Sequence, residues 1–504
     1  MKSERVATSP LMKRKPTENF LLTRIVSKHK LSDNDKHMNR TALLSLAAGV
    51  ALMTVPSCSF GPAWQRPEMP VPEAFRNAAA SVDNMSDLPW QEVLHDGQLQ
   101  ALLNDVLENN RSLEAMQHNV NAARHYVTMA AAPLFPWFGY GAGSTKGMNS
   151  SGGASIVHTT STTTNPGSMQ LSASWELDVW GKTRKGIEAA IADADGAEAS
   201  LADLRLSLMK QVACGYLQLI MLDEQLRIAH ESVASYRESL ELFQNQLEGG
   251  VADKLQTSSA QAALAAAEAQ VPALESQIIA LENTLSALAG RAPGSIRRGS
   301  DLMAFAEAST VAPGIPASVL ARRPDIRAKE FALRAANADI GAAIASYFPS
   351  ISLTGAAGYA TADLRHAQFG KHSGWGIGAN LTGPLFQAGQ LRANELMKRE
   401  AFLTAKADYE NSVFNALSEI STTLTERQKL RAIMQKQEEA VAAYQESVKL
   451  SKARYQQGLA GYYEVLDAQK SLFPAQTQLA AYRYQYAACI PTLYTQLGGG
   501  WQQP

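Results

Sequence analysis

The sequence predicts a mainly α protein that also carries a membrane β-barrel. Its expected parts are a long α-helical coiled-coil barrel and four β-strands per protomer, in two tandem structural repeats. Three observations predict this class. The chain is written twice at a near-constant spacing, its helical segments are too long for a compact domain, and its few strand patterns have the length and alternation of bilayer-crossing strands.

The duplication sets the plan. Ala131 to Pro136 recurs as Ala345 to Pro349, with Phe135 matching Phe348 at an offset of 213. Leu177 to Arg184 recurs as Leu385 to Arg392, with Gly181 over Gly389, and Leu242 to Leu264 recurs as Leu450 to Leu472. Both of these pairs have an offset of 208. Two constant offsets on either side of one variable loop are the trace of a duplicated structural unit. The unit is far longer than a solenoid repeat, so each copy is half of one architecture.

The helices explain the length of each copy. Between Lys185 and Glu248 there is no proline. The end of that span carries Leu226, Ala229, Val233, Tyr236, Leu240, Phe243 and Leu247 at alternating spacings of three and four, the seam of packed antiparallel helices. The same spacing resumes after Gly249-Gly250 and recurs ahead of Gly458. Glu248 to Asp253 and Gln456 to Gly461 are therefore expected to be two hairpin tips at one end.

Strand patterns are few. Met169 to Leu177 and Trp375 to Thr382 alternate apolar and polar residues, and Phe138 to Thr145 and Ser350 to Tyr359 are weaker versions. Each has the length of a bilayer-crossing strand. A half-buried soluble sheet has the same period. If the strands span a membrane, four cannot close a barrel, and open edges in lipid leave backbone groups unsatisfied, so copies must associate. The polar stretches Lys146 to Ser168 and Thr361 to Ser373 read as exposed outer loops. Pro136 and Pro349 fall between a helix pattern and a strand pattern, where proline ends the helix and extends the residue before it.

The N-terminus points to export. Thr41 to Val55 is a largely apolar run behind Arg40, suited to a signal-peptide core and too short to span a bilayer. Residues 1–57 are read as the signal peptide, with Met38 the expected natural start. Cys58 after small residues resembles a lipoprotein acceptor, whose only added group is a covalent N-terminal lipid. A plain secretory signal is the alternative. Beyond residue 57 the chain has 36 basic and 43 acidic residues and no basic cluster, which argues against nucleic acid as a partner. Cys214 and Cys489 sit in no metal-like spacing and read as small buried helix residues. His-Glu-x-x-His and Gly-x-Ser-x-Gly patterns are absent, so an enzyme is not expected, and no cofactor or metal is. A structural coiled-coil lipoprotein is a further rival.

Several stretches then carry a resemblance: Pro62 to Pro67, Leu99 to Leu103 with Asn109 to Glu114, Trp175 to Gly181, Leu320 to Arg327, Tyr347 to Gly355, Gly383 to Arg392 and Leu497 to Trp501. Together they resemble the TolC-like outer-membrane efflux proteins, in the NodT-type lipoprotein branch, over essentially all of residues 58–501. The resemblance implies an N-terminal periplasmic segment at 58–96 and efflux repeats at 97–305 and 306–501. It implies a homotrimer closing a twelve-stranded barrel in outer-membrane lipid, anchored by lipid at Cys58 and extending into the periplasm. The duct would meet a periplasmic adaptor and an inner-membrane RND-type transporter, passing drugs or other small toxic compounds outward. Metal-cation efflux and type I secretion use the same architecture and remain open.

Site residues follow from the resemblance. Gly250, Val251, Gly458 and Leu459 match the adaptor-docking tips. Glu464 and Asp467 match acidic positions of a periplasmic gate, and Tyr455 matches an aromatic that helps latch it. The two acids are three residues apart and share a helix face. On a lone helix that is an ordinary solvated pair, but under three-fold symmetry it rings an aperture and attracts cations. Gln256 and Ser259 replace them in the first copy. The basic latch partner near the second tip is missing, since Ala460, Gly461 and Tyr462 carry no charge.

Overall fold

The computed structural model describes residues 60–75, 85–144, 146–150, 161–164, 166–249, 253–299, 301–308, 322–361 and 373–499. All fall in the compact unit Ser57–Pro504. The expected signal peptide and Cys58 lie outside the described residues.

Helices dominate. Short α1 (Trp90–Val93) leads to α2 (Gly97–Asn109) and α3 (Arg111–Ala131). After the first strands come α4 (Lys182–Glu248), α5 (Lys254–Leu288) and short α6 (Leu302–Ala308). The second copy has α7 (Pro324–Ala345), α8 (Gln390–Gln456) and α9 (Tyr462–Gln496). The duplication is visible in the lengths: α4 and α8 each have 67 residues, and α5 and α9 each have 35. At 1.5 Å per residue the long pair spans about 100 Å each.

Equivalent glycines mark equivalent turns. Gly181 and Gly389 precede α4 and α8 with φ of 75° and 85°, a left-handed conformation that suits glycine. Gly290 and Gly498 close α5 and α9 in the same way, with φ of 66° and 75°. In each, two backbone N–H groups fold back to the last helical carbonyls.

The sheet has four antiparallel strands in the order β1-β4-β5-β6: β1 (Trp137–Ser144), β4 (Gly167–Leu177), β5 (Ser350–Thr361) and β6 (Ser373–Thr382). Pro136 and Pro349 stand immediately before β1 and β5. The stretch Lys146 to Ser168, expected to be all loop, instead pairs β2 (Gly147–Ser150) with β3 (Ser161–Thr164) before β4 begins. Their register continues that of β1 and β4, so one long hairpin outruns the sheet. Met148 is the only large apolar residue of these two strands, so no period-two pattern marked them. The expected loop Thr361 to Ser373 begins and ends in strand residues, and 362–372 lie outside the described residues.

Helix neighbours follow strand neighbours: α3 packs on α4, α4 on α7, and α7 on α8. The main core gathers Leu99, Leu103, Val212, Tyr216, Ile420 and Tyr494 from α2, α4, α8 and α9. Tyr216 ties the first copy to its amino-terminal segment. Its hydroxyl donates to Asp96 Oδ1 at 3.1 Å and accepts from the Gly299 N–H at 2.7 Å. Asp96 also caps α2, accepting from the Gln98 and Leu99 N–H groups.

Candidate functional site

Two regions carry the functional candidates, the sheet and the helix tips. The strand register sorts the sheet into two faces. Tyr140 pairs with Leu171, Leu171 with Ala357, and Ala357 with Trp375. The neighbouring rows on that face are Phe138, Ala173, Gly355 and Ile377, and Trp175, Leu353 and Ala379. The opposite face carries Gly141, Gln170, Gly358 and Gly374, then Gly139, Ser172, Ala356 and Gly376. Tyr140, Leu171, Trp375 and Ile377 are exposed although large and apolar. A continuous exposed apolar face of this kind marks contact with lipid or a partner. Among the described residues, β1 and β6 end the sheet with one unpaired edge each.

Aromatic side chains brace the border between sheet and helices. Trp175 Nε1 donates to the Leu134 carbonyl at 3.0 Å, and Trp180 Nε1 donates to that of Pro349 at 2.6 Å. Phe60 stacks on Phe348 with ring centroids 4.5 Å apart, and Trp180 stacks on the same Phe348 at 4.9 Å. No described helix is long and apolar enough to cross a membrane.

At the second tip, α8 stops through its own backbone. The Gly458 N–H donates to the Tyr455 carbonyl and the Leu459 N–H to that of Arg454, both at 2.9 Å. Gly458 takes φ of 71°, as this reversal requires. Leu459 projects beyond it, 66% exposed. Gly250 and Val251 of the first tip lie outside the described residues.

Glu464 and Asp467 sit on the solvent side of α9, while Val465, Leu466, Ala468 and Gln469 face inward. Glu464 lies in the first turn, where the helix dipole favours an acid. Its carboxylate stands 3.6 Å from Arg454 Nη1. Arg454 stands in the last turn of α8, across the turn from Glu464. Asp467 has no ion pair among the described residues.

Tyr455 is half-buried and meets Tyr462 edge-on at 4.9 Å. Tyr462 meets Phe243 at 4.4 Å and its hydroxyl donates to Ser239, and burial raises its pKa. Within one chain, Tyr455 therefore packs onto the small core that holds the tip together. Sequence reasoning missed Arg454, and it missed Leu255 and Tyr463. The latter two are equivalent by the offset of 208, and both are large, apolar and exposed at the starts of α5 and α9. That offset was the signal that could have found them. No group of three or more His, Cys, Asp or Glu able to hold a metal occurs among the described residues.

This geometry, long helices in two equivalent sets below a sheet with an apolar outer face, defines a class. The outer membrane efflux protein family model matches residues 102–291 and 315–499. The chain belongs to that family. The cation efflux system protein CusC of Escherichia coli O157:H7 is 32% identical over 473 residues, covering 92% of this chain and 100% of its own. The toluene efflux pump outer membrane protein TtgF of Pseudomonas putida is 33% identical over 478 residues, covering 92% of this chain and 97% of its own. A crystal structure of CusC, described in terms of transmembrane channel formation, superposes with a TM-score of 0.78 at 29% identity, covering 88% of this chain and all of that one.

Proposed function

We propose that this chain is the outer-membrane duct of a tripartite efflux pump, acting as a homotrimer. The observation that carries the reading is the four-stranded sheet, apolar on one face and unpaired at both edges among the described residues, continuous with helices about 100 Å long. Open edges in hydrocarbon cost several kcal/mol for each unsatisfied backbone group. Three copies joined β6 to β1 close twelve strands into a barrel, with Leu171 and Ile377 toward lipid and Gln170 and Ser172 toward water. The helices then form a tunnel into the periplasm. Cys58, as an acylated first residue, adds a lipid anchor.

The tips complete the assembly. Leu459, Tyr463 and Leu255 are exposed apolar side chains at the far end, suited to the helical hairpin of a periplasmic adaptor that couples the duct to an RND-type transporter. Glu464 and Asp467 of three copies ring the aperture. Purified protein in a planar bilayer should give discrete single-channel conductance, and its absence would sink both duct and barrel.

The first reading of the cargo is small toxic organic compounds, supported by the likeness to a toluene pump component. The likeness to CusC and the acidic pair at the tip favour metal cations as a second reading. Family likeness does not choose, because both relatives are about equally similar. Deleting the gene and comparing growth on solvents and antimicrobials with growth on metal salts separates the two.

A further inference from the structure

The chain ends sideways in two unlike flanks, and both are apolar at one level. One flank is β1 with α3, and the other is β6 with α8, because β1 and β6 bound the sheet and α3 and α8 bound the helix row. On the first flank, where α3 hands over to β1, Met129 is 68% exposed and Phe135 is 70% exposed. On the second flank, just after β6 ends at Thr382, Leu385 is 104% exposed and Phe386 is 87% exposed. A left-handed pair, Ala388 (φ 47°) and Gly389 (φ 85°), turns this loop into α8. Ala388 is the only described non-glycine residue with positive φ, a conformation that disfavours a Cβ.

The first copy's counterpart of this loop looks different. Phe386 aligns with Asp178, which accepts from the Thr183 and Arg184 N–H groups and so caps α4. The second copy replaces a capping carboxylate by an exposed phenyl ring and so gives up that helix cap. Solvent alone does not explain that exchange.

We infer that Leu385 and Phe386 of one copy seat against Met129 and Phe135 of the next, forming an apolar gasket between copies where the sheet meets the helices. Strand polarity puts them together. β1 starts at the helical border and β6 ends there, so pairing β6 of one copy with β1 of another is antiparallel. The end of β6 then lies beside the start of β1. Leu385 and Phe386 lie just beyond that end, Phe135 lies just before that start, and Met129 lies in the last turn of α3 beneath it. The occupant of each flank is therefore a second copy of this chain, and the gasket keeps water from crossing the wall at the one level where neither strand pairing nor helix packing continues. The inference rests on the trimer reading.

Full-length protein carrying both Phe135→Cys and Leu385→Cys, treated with a short bis-maleimide, tests it, with each single variant as the control for the native thiols. A ladder up to covalent trimer in the double variant alone is the expected result. A trimer by native mass with no ladder overturns the gasket and leaves the trimer reading intact. A monomer by native mass overturns the trimer reading itself. As a second arm, Leu385→Asp with Phe386→Asp should lower the trimer fraction on the order of tenfold, because burying such side chains is worth that much or more in an equilibrium. An unchanged trimer fraction would count against the gasket.

Discussion

Tyr216→Phe removes one oxygen and nothing else. The side chain is 0% exposed, so its ring stays packed in the core while the hydroxyl is lost. That hydroxyl serves two groups, donating to Asp96 Oδ1 and accepting from the Gly299 N–H. The losses are unequal. Asp96 keeps its two bonds from the start of α2, whereas the Gly299 N–H is left without this acceptor. The lost bond to a charged acceptor is worth about 1.5–3 kcal/mol, and the N–H of the exposed Gly299 can turn to water at little further cost, so about 2 kcal/mol is a fair sum. Because 1.4 kcal/mol is a factor of ten, local opening at Gly299 should become roughly 30-fold more frequent. Hydrogen–deuterium exchange by mass spectrometry reads this directly. Peptides containing Gly299 should exchange faster in the variant, while those covering Gln98 and Leu99 should change little. Equal protection at Gly299 in both proteins would refute the bridging role. A Cβ at 299 would lie 2.5 Å from the Asp96 carboxylate, so Gly299→Ala should loosen the same segment.

Other expectations follow from the tips and the amino terminus. Intact mass of the mature protein should show an acylated Cys58, and Cys58→Ala should lose the lipid mass. A wild-type chain starting elsewhere without lipid would end that proposal. Leu459→Asp with Val251→Asp should leave trimer yield unchanged and abolish export, and normal resistance in that variant would count against docking there. Glu464→Ala with Asp467→Ala should reduce cation selectivity in reversal-potential measurements under a salt gradient. Arg454→Gln should increase it, since the guanidinium 3.6 Å from Glu464 offsets part of the ring's charge. No change in the first variant would place the carboxylates outside the tunnel.

Much of the fold was legible because duplication repeats the signal. The offset of 208 reappears in α4 and α8 and in α5 and α9, which match in length residue for residue. Gly181 over Gly389 was legible as a pair, and left-handed backbone is the reason both are glycine. The β2–β3 ribbon was not legible, since its sequence lacks the alternation that a one-sided apolar strand shows. The Arg454–Glu464 pair was hidden for another reason. It joins residues across a turn, at a separation no helical periodicity predicts. Tyr455 was read as a latch by likeness, but its burial depends on Tyr462 and Phe243, which belong to two other helices. Which helix lies on which flank is likewise a tertiary fact, and the exposed Leu385 and Phe386 acquire meaning only once the flanks are known.

Single cysteines along β4 test the central claim most directly. Gln170, Ser172 and Ser174 share one face of the strand, and Met169, Leu171 and Ala173 share the other. Each cysteine variant is placed in a planar bilayer and exposed to a water-soluble, membrane-impermeant thiosulfonate while conductance is recorded. The duct reading predicts stepwise loss of conductance at 170, 172 and 174 and none at 169, 171 and 173. Equal modification of both sets, or modification with no change in conductance, would contradict a water-filled barrel lined by the polar face of this sheet.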